Sequence, residues 1–185
     1  MIPSFDEDIK IYGQGRQDES PDFESLVEHI DFNETNGNKE KAEKLGGIFA
    51  ALKPTDEDLC ILGGQDSVES SVLYQVRVLI HFLCGRTIKK EIRDSFLIDF
   101  ARKSMYDAIK RNEPDYYKNL TSGAAYSFYR VAFKKNGESA DTAGAEFAKL
   151  CGASKDEYII GIGRKIYTNT VAYAKALIEK CGYQY

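Results

Sequence analysis

Histidine and cysteine side chains, which carry much of the acid–base and nucleophilic chemistry in proteins, are few in this sequence. The histidines are His29 and His81. The cysteines are Cys60, Cys84, Cys151 and Cys181. None of them falls in a C-x-x-C, E-x-x-H or H-E-x-x-H pattern, so zinc and di-iron sites lack their usual ligands. A G-x-S-x-G nucleophile motif is also missing. The sequence therefore predicts no metal and no cofactor, and it argues against an enzyme.

One polar cluster could still form a site on a predicted helix. His81 follows Arg77 by four residues and Tyr74 by seven, which places the three on one helical face. A neighbouring guanidinium disfavours the imidazolium and would leave His81 as a neutral base. Because no nucleophile accompanies it, a packing role for His81 is the favoured interpretation.

Cations are concentrated in the segment Arg86-Thr87-Ile88-Lys89-Lys90-Glu91-Ile92-Arg93. We predict that a helix begins at Thr87, where positive side chains oppose the positive end of the helix dipole. A bound anion would relieve that conflict by contacting the free N–H groups and the side chains. The candidate anion-binding residues are Arg86, Thr87, Lys89, Lys90 and Arg93.

The charge of the whole chain is divided unevenly. Residues 1–85 carry 7 Lys and Arg against 17 Asp and Glu, and residues 86–135 carry 12 against 6. Residues 136–185 are balanced at 6 against 6, which gives a net charge of −4. We expect the basic middle to pair chiefly with the acidic first half, or with a partner, because such asymmetry concerns surfaces rather than fold.

Aromatic residues alternate with cations in the second part of the basic middle. Tyr126, Tyr129 and Phe133 share one helical face, and Arg130 lies beside them. Such a face can stack nucleic-acid bases or form the centre of an interface. Core packing is the alternative, and it is the more common fate of aromatic residues.

The elements that would position these residues are helical from Pro21 onward. Residues 1–20 are predicted to form an irregular acidic arm, and residues 21–185 a single helical domain. We expect a helix from Asn38 to about Lys53, and another that starts near Asp66 and ends at Cys84-Gly85. Glycine at that position would adopt the left-handed conformation that ends many helices.

The same sequence pattern, a predicted helix end at Cys-Gly followed by a new helix start, recurs later in the chain. Leu150-Cys151-Gly152-Ala153-Ser154 repeats the pattern of residues 83–87, with Ser154 and Glu157 as a predicted capping box. Cys181-Gly182 is predicted to end the last helix, which covers about 155–181. A helix C-terminus would raise the pKa of each cysteine that precedes such a glycine, which argues against a reactive thiol.

The segment from Pro114 to Lys135 reads as one helix or as two helices separated at residues 121–123. A predicted apolar stripe on it comprises Tyr117, Leu120, Ala124, Phe128 and Val131. In the last helix, small residues in the apolar stripe would let a neighbour approach closely: Gly163, Thr170 and Ala174. We therefore predict an all-α bundle of roughly six to eight helices.

Function is predicted only by class. The segment MIPSFDEDIK lacks the features of a signal peptide and no apolar run could span a membrane, so we expect a cytoplasmic protein without membrane contact. The leading hypothesis is a protein-interaction or regulatory module, including self-association. The first alternative is an enzyme or small-ligand binder with a pocket between helices, near Asp94 and Asp99 or near the Tyr74, Arg77 and His81 cluster. Nucleic-acid contact through residues 86–135 is the second.

Overall fold

The computed structural model describes residues 23–54 and 70–185. This part of the chain contains eight α-helices and no strand, which confirms the predicted all-α class. In chain order they are α1 (Phe23–Thr35), α2 (Asn38–Ala50), α3 (Ser70–Glu91), α4 (Ser95–Asn112), α5 (Pro114–Ser122), α6 (Ala125–Asn136), α7 (Ala140–Leu150) and α8 (Glu157–Cys181).

The helices do not pack in the order of the sequence. The most extensive contacts join α2 to α4, α7 to α8, and α3 to α8. Helix α3 lies at the centre, and its residues from Val76 to Ile88 supply much of the continuous apolar core. Helices α2 and α4 to α8 each add apolar residues to this core, as amphipathic elements of a bundle do.

Helix α3 continues through the glycine at which we predicted it to end. Gly85 is buried inside α3, where a Cβ would lie 3.3 Å from the hydroxyl oxygen of Tyr126. The apolar spacing continues beyond it, because Ile88 and Ile92 are also buried. Thr87 does not cap a new helix; its hydroxyl donates to the Leu83 carbonyl at 2.9 Å, one turn back. The prediction that one helix ends at Cys84-Gly85 and the next begins at Thr87 is therefore wrong.

The helix that follows α3 begins at Asp94 instead. The Asp94 carboxylate accepts hydrogen bonds from Phe96 N at 2.8 Å and Leu97 N at 3.2 Å, so it is the N-cap of α4. Similarly, α8 is capped by Asp156 rather than by the predicted Ser154. Gly152 and Gly182 do have the left-handed conformation expected after a helix, with φ of 73° and 55°.

The segment from Pro114 to Lys135 forms two helices, one of the two alternatives read from the sequence. Gly123 separates α5 from α6 in an extended conformation. A Cβ there would lie 2.4 Å from the Asn119 carbonyl oxygen, so the break needs glycine. The break also shifts the helical phase, and Phe128 and Val131 become 45% and 61% exposed. The prediction that they belong to an apolar core stripe is wrong for this reason.

Three glycines allow helices to touch backbone to backbone. A Cβ on Gly46 of α2 would lie 2.2 Å from the Ala101 carbonyl oxygen of α4. A Cβ on Gly163 of α8 would lie 2.8 Å from the Cα of Gly144 in α7. The close approach predicted at Gly163 is thus confirmed, and its partner is a second glycine.

Helix α2 is two or three residues shorter than predicted, since it ends at Ala50. Its first residue, Asn38, is buried and hydrogen-bonds elsewhere instead of capping the helix. The predicted arm at 1–20, the helix start near Asp66 and Cys60 lie outside the described residues. None of the helices in the described ranges is both long and apolar enough to cross a membrane.

Candidate functional site

The predicted polar cluster on α3 is assembled, and α5 completes it. The Arg77 guanidinium lies 4.0 Å from the centre of the Tyr116 ring and donates to the Glu113 carboxylate at 2.8 Å. Tyr74 contacts the same ring edge-on at 6.0 Å, and its hydroxyl donates to the Asn119 carbonyl at 3.1 Å. These contacts attach α5 to α3.

His81 lies beneath this cluster with no solvent exposure. Its Nδ1 is 2.7 Å from the Tyr116 hydroxyl, and its Nε2 is 3.4 Å from the Ala50 carbonyl. Those partners suit the neutral tautomer, with Nε2–H donating and Nδ1 accepting. Burial, helped by the charge of Arg77, lowers the pKa of His81 to about 4. Its full burial fits the packing role that the sequence favoured for His81, and the lowered pKa fits a neutral imidazole.

The hydroxyl groups of two buried tyrosines differ in their hydrogen bonding, and the effect of that difference on stability can be measured by mutation. Tyr116 pairs with His81, whereas the Tyr129 hydroxyl is buried with no hydrogen-bond partner among the described residues. We expect Tyr116→Phe to lower the free energy of unfolding by about 1–2 kcal/mol, because it leaves the buried Nδ1 of His81 without a hydrogen-bond partner. Tyr129→Phe should leave stability unchanged or raise it by up to about 1 kcal/mol, because it removes a desolvated hydroxyl. Urea denaturation of both variants checks this, and a larger loss in Tyr129→Phe would contradict it.

The candidate anion-binding segment lies in the last two turns of α3, not at a helix N-terminus. The Arg86 guanidinium donates to the Glu138 carboxylate at 2.8 Å, and Thr87 is buried. Lys89, Lys90 and Arg93 are exposed. The dipole argument for an anion site is therefore wrong, because cations near a helix C-terminus are favourable. Pairing with the acidic residues of 1–22 and 55–69 stays a prediction, since those residues lie outside the described part.

The predicted aromatic face forms the core of the bundle. Tyr129 is fully buried and Phe133 is 5% exposed. The rings of Tyr126, Tyr129 and Phe133 surround Phe82 of α3, with centroids 5.0, 5.4 and 5.3 Å from it. Arg130 is exposed, and Tyr126 is half-buried with its hydroxyl 2.9 Å from that of Tyr106. The interface prediction is corrected for these rings, which pack as the alternative proposed.

The described cysteines are free thiols with unfavourable ionisation. Burial raises the pKa of Cys84 to about 12 and that of Cys151 to about 11, and it also raises the pKa of Cys181. The direction agrees with the prediction, but for Cys84 the predicted cause is wrong, since it lies within α3 and not at its end.

The sequence did not reveal a cleft where α1, the α3–α4 turn and the C-terminal residues meet. It has a volume of about 410 Å³ and is lined by His29, Phe32, Arg93, Asp94, Ser95 and Tyr185. His29 Nε2 lies 2.7 Å from the Asp94 carboxylate, and Asn33 Nδ2 donates to the same oxygen at 3.1 Å. The other oxygen of Asp94 caps α4, so the carboxylate has about as many donors as it can accept.

These contacts also set the protonation of Asp94. Burial alone would raise its pKa, but the hydrogen bonds from Asn33 and Leu97 N and the charge of His29 outweigh it and hold the pKa below its usual value. A carboxylate held in this way fixes the orientation of the imidazole, as it does beside general bases. The structure shows no hydrogen bond between Ser95 and His29, both of which it describes, so a nucleophile is not placed on this base.

Two buried asparagines support the floor of the cleft. Asn38 Nδ2 donates to Asn33 Oδ1 at 3.1 Å, and Asn38 Oδ1 accepts from Gln184 N at 3.1 Å. The backbone N–H of Arg93 donates to the Tyr185 hydroxyl at 3.5 Å. The chain segment that carries Tyr185 is thereby held against the start of α2 and the end of α3.

Asp94 was a candidate for a pocket residue, but its partner His29 was not, and Asp99 is exposed elsewhere on α4. Arg93, a predicted anion-binding residue, also lines the cleft. A further sequence signal is the spacing of His29 and Asn33, four residues apart on one helix. Within the described ranges, no group of three His, Cys, Asp or Glu side chains is placed to hold a metal ion. Comparison of the chain with protein-family models, curated proteins and solved structures finds no significant match.

Proposed function

We propose that this protein is an interaction module that binds an acidic partner segment through the outer face of α6. That face is defined by Phe128, Val131, Lys134 and Lys135, all of which are exposed. The observation that carries the proposal is the apolar exposure, since α6 buries Tyr129 and Phe133 on one side and still presents a phenylalanine and a valine on the other. An amphipathic helix inside a bundle normally has one apolar face.

The charges around this face select the partner. Helix α6 contains three cations and no acidic residue. The ammonium group of Lys149 on α7 lies 5.5 Å from the centre of the Phe128 ring. Cations that surround a small apolar centre are the complement of an acidic segment with an apolar anchor. A second copy that presented the same face would bring like charges together, which disfavours a symmetric dimer there.

Nucleic acid is the weaker occupant for a specific reason. Base stacking requires exposed rings, and the structure buries Tyr129 and Phe133, two aromatic residues of the basic segment 86–135 through which nucleic-acid contact was predicted. A membrane surface is also less suitable, because two exposed apolar residues are few for an interfacial helix. A protein segment needs only a small central anchor of this kind.

The test uses a fluorescein-labelled 16-residue helical peptide with leucines and phenylalanines on one face and glutamates on the other. We expect Val131→Asp to weaken its binding, measured by fluorescence anisotropy, at least about tenfold, because an anion would then oppose the glutamates. Tyr173→Asp is the matched control, since Tyr173 is exposed on α8 and the charge change is equal.

Two results would overturn the proposal. One is equal binding of the peptide by Val131→Asp and the parent protein. The other is stronger binding of a single-stranded oligonucleotide or of phosphatidylserine vesicles than of the peptide, with the same sensitivity to Val131→Asp. Thermal unfolding of the variant should match that of the parent, because residue 131 is 61% exposed.

A further inference from the structure

We infer that the cleft between α1, the α3–α4 turn and Tyr185 is a binding site for a small organic anion with an aromatic or apolar body. It is separate from the outer face of α6 and does not depend on the proposed function. The inference begins with the hydrogen-bonding groups that the cleft leaves available once its internal contacts are counted.

Asp94, the acidic residue of the cleft, is fully used by the protein itself. One oxygen accepts from Phe96 N and Leu97 N, and the other from His29 and Asn33. Its side chain is only 6% exposed. Its negative charge is therefore compensated within the fold, and it presents little surface to an entering ligand.

The groups that remain are mostly donors. Arg93 is exposed, and no ion pair with another described residue holds its guanidinium. Ser95 is exposed, and the Tyr185 hydroxyl accepts from Arg93 N and keeps its own proton to donate. His29 in its neutral form adds no donor, since its one N–H, on Nε2, donates to Asp94. A guanidinium with two hydroxyls matches a carboxylate or phosphate head group.

The rest of the cleft wall suits an apolar body. Phe32 and Tyr185 are 46% and 62% exposed, and both line the cleft. Aromatic rings that are this exposed can cover a flat ligand from its faces. A volume of about 410 Å³ is within the range of small-molecule sites.

Hydrogen bonds within the protein already hold the floor of this site. Asp94 fixes the His29 ring, and the Asn33–Asn38–Gln184 hydrogen bonds hold the segment that carries Tyr185. Binding would therefore order few groups beyond the Arg93 side chain, which lowers its entropic cost.

The experiment is a titration of the full 185-residue chain with phenyl phosphate, followed by ¹H–¹⁵N NMR. We expect saturable shifts of the amides of His29, Arg93, Ser95 and Tyr185. Inorganic phosphate, which has only the head group, should bind at least tenfold more weakly, and phenol, which has only the body, should shift the same amides weakly or not at all.

Arg93→Gln should weaken phenyl phosphate binding about tenfold or more, because a charge-assisted hydrogen bond is lost. Lys103→Gln is the matched control, as it removes an exposed cation that lies on α4, ten residues after Arg93 in the chain. Phe32→Ser should affect phenyl phosphate but not inorganic phosphate. Shifts scattered over all surface lysines, equal binding by Arg93→Gln, or no shift at the four amides would overturn the inference. Arg93 and Phe32 are exposed, so circular dichroism should show that both variants fold as the parent does.

Discussion

Replacement of Gly46 by alanine is expected to lower the free energy of unfolding by about 3 kcal/mol, at the upper end of the cost of overpacking. The added Cβ would lie 2.2 Å from the Ala101 carbonyl oxygen and 2.8 Å from Met105 N. Both are backbone atoms of α4, so no side-chain rotation can make room. Helices α2 and α4 would have to move apart along the most extensive contact in the fold.

The adjacent glycine provides the control. Gly47 has nothing within 4 Å of the position of a Cβ, so Gly47→Ala should raise the free energy of unfolding by up to about 1 kcal/mol through helix propensity alone. Guanidinium denaturation of both variants measures the difference. If Gly46→Ala were as stable as the parent, α2 and α4 could not be in backbone contact.

The second large expected effect is a loss of stability at acid pH, which we attribute to His81. The unfolded chain takes up the His81 proton near its reference pKa of 6.5, whereas the folded chain does so only near 4. Between these values the unfolded state binds more protons, so the free energy of unfolding falls as the pH is lowered. The loss from this group is about 3 kcal/mol between pH 7 and pH 4. Below pH 4 both states are protonated and His81 contributes no further slope.

Equilibrium denaturation at pH 7, 5.5 and 4 checks this. His81→Asn keeps a polar atom near Nδ1 for Tyr116 but cannot titrate, so its stability should be lower at pH 7 and nearly constant across this range. Asp94 has a lowered pKa, so its contribution to stability is present above its reference value of 3.8 and is lost mainly below it, at the acid limit of this range. An unchanged slope in His81→Asn would assign the acid sensitivity to other groups.

The helical class could be read from apolar periodicity, but helix ends depended on tertiary contacts. Cys84-Gly85, Cys151-Gly152 and Cys181-Gly182 look alike in sequence. The second and third lie at helix ends, whereas Gly85 lies within α3, beneath Tyr126 and Met105. Only those neighbours, which come from α4 and α6, decide whether a small residue ends a helix or allows a close contact.

The same dependence explains what could be anticipated of the candidate sites. Tyr74, Arg77 and His81 lie on one helix, so local spacing predicted their proximity. His29 and Asp94 are 65 residues apart, and their contact depends on how α1 packs beside the start of α4. Phe128 was assigned to the core because the predicted apolar stripe ran in one helical phase through Gly123. The break at that glycine changes the helical phase of the residues that follow, and Phe128 is exposed. The proximity of residues on one helix can be predicted from their spacing, whereas a contact between helices can be predicted only when the packing of the helices is known.

The pairing of α2 with α4 also bears on how fast the chain can fold. All of α3 lies between these two helices in sequence, so their contact closes a long loop, and the entropy of that closure is lost before the packing energy is gained. Bundles whose helices pack only on their sequence neighbours avoid this cost and fold quickly. We therefore expect the search that brings α2 onto α4 to limit the folding rate more than the formation of any single helix does.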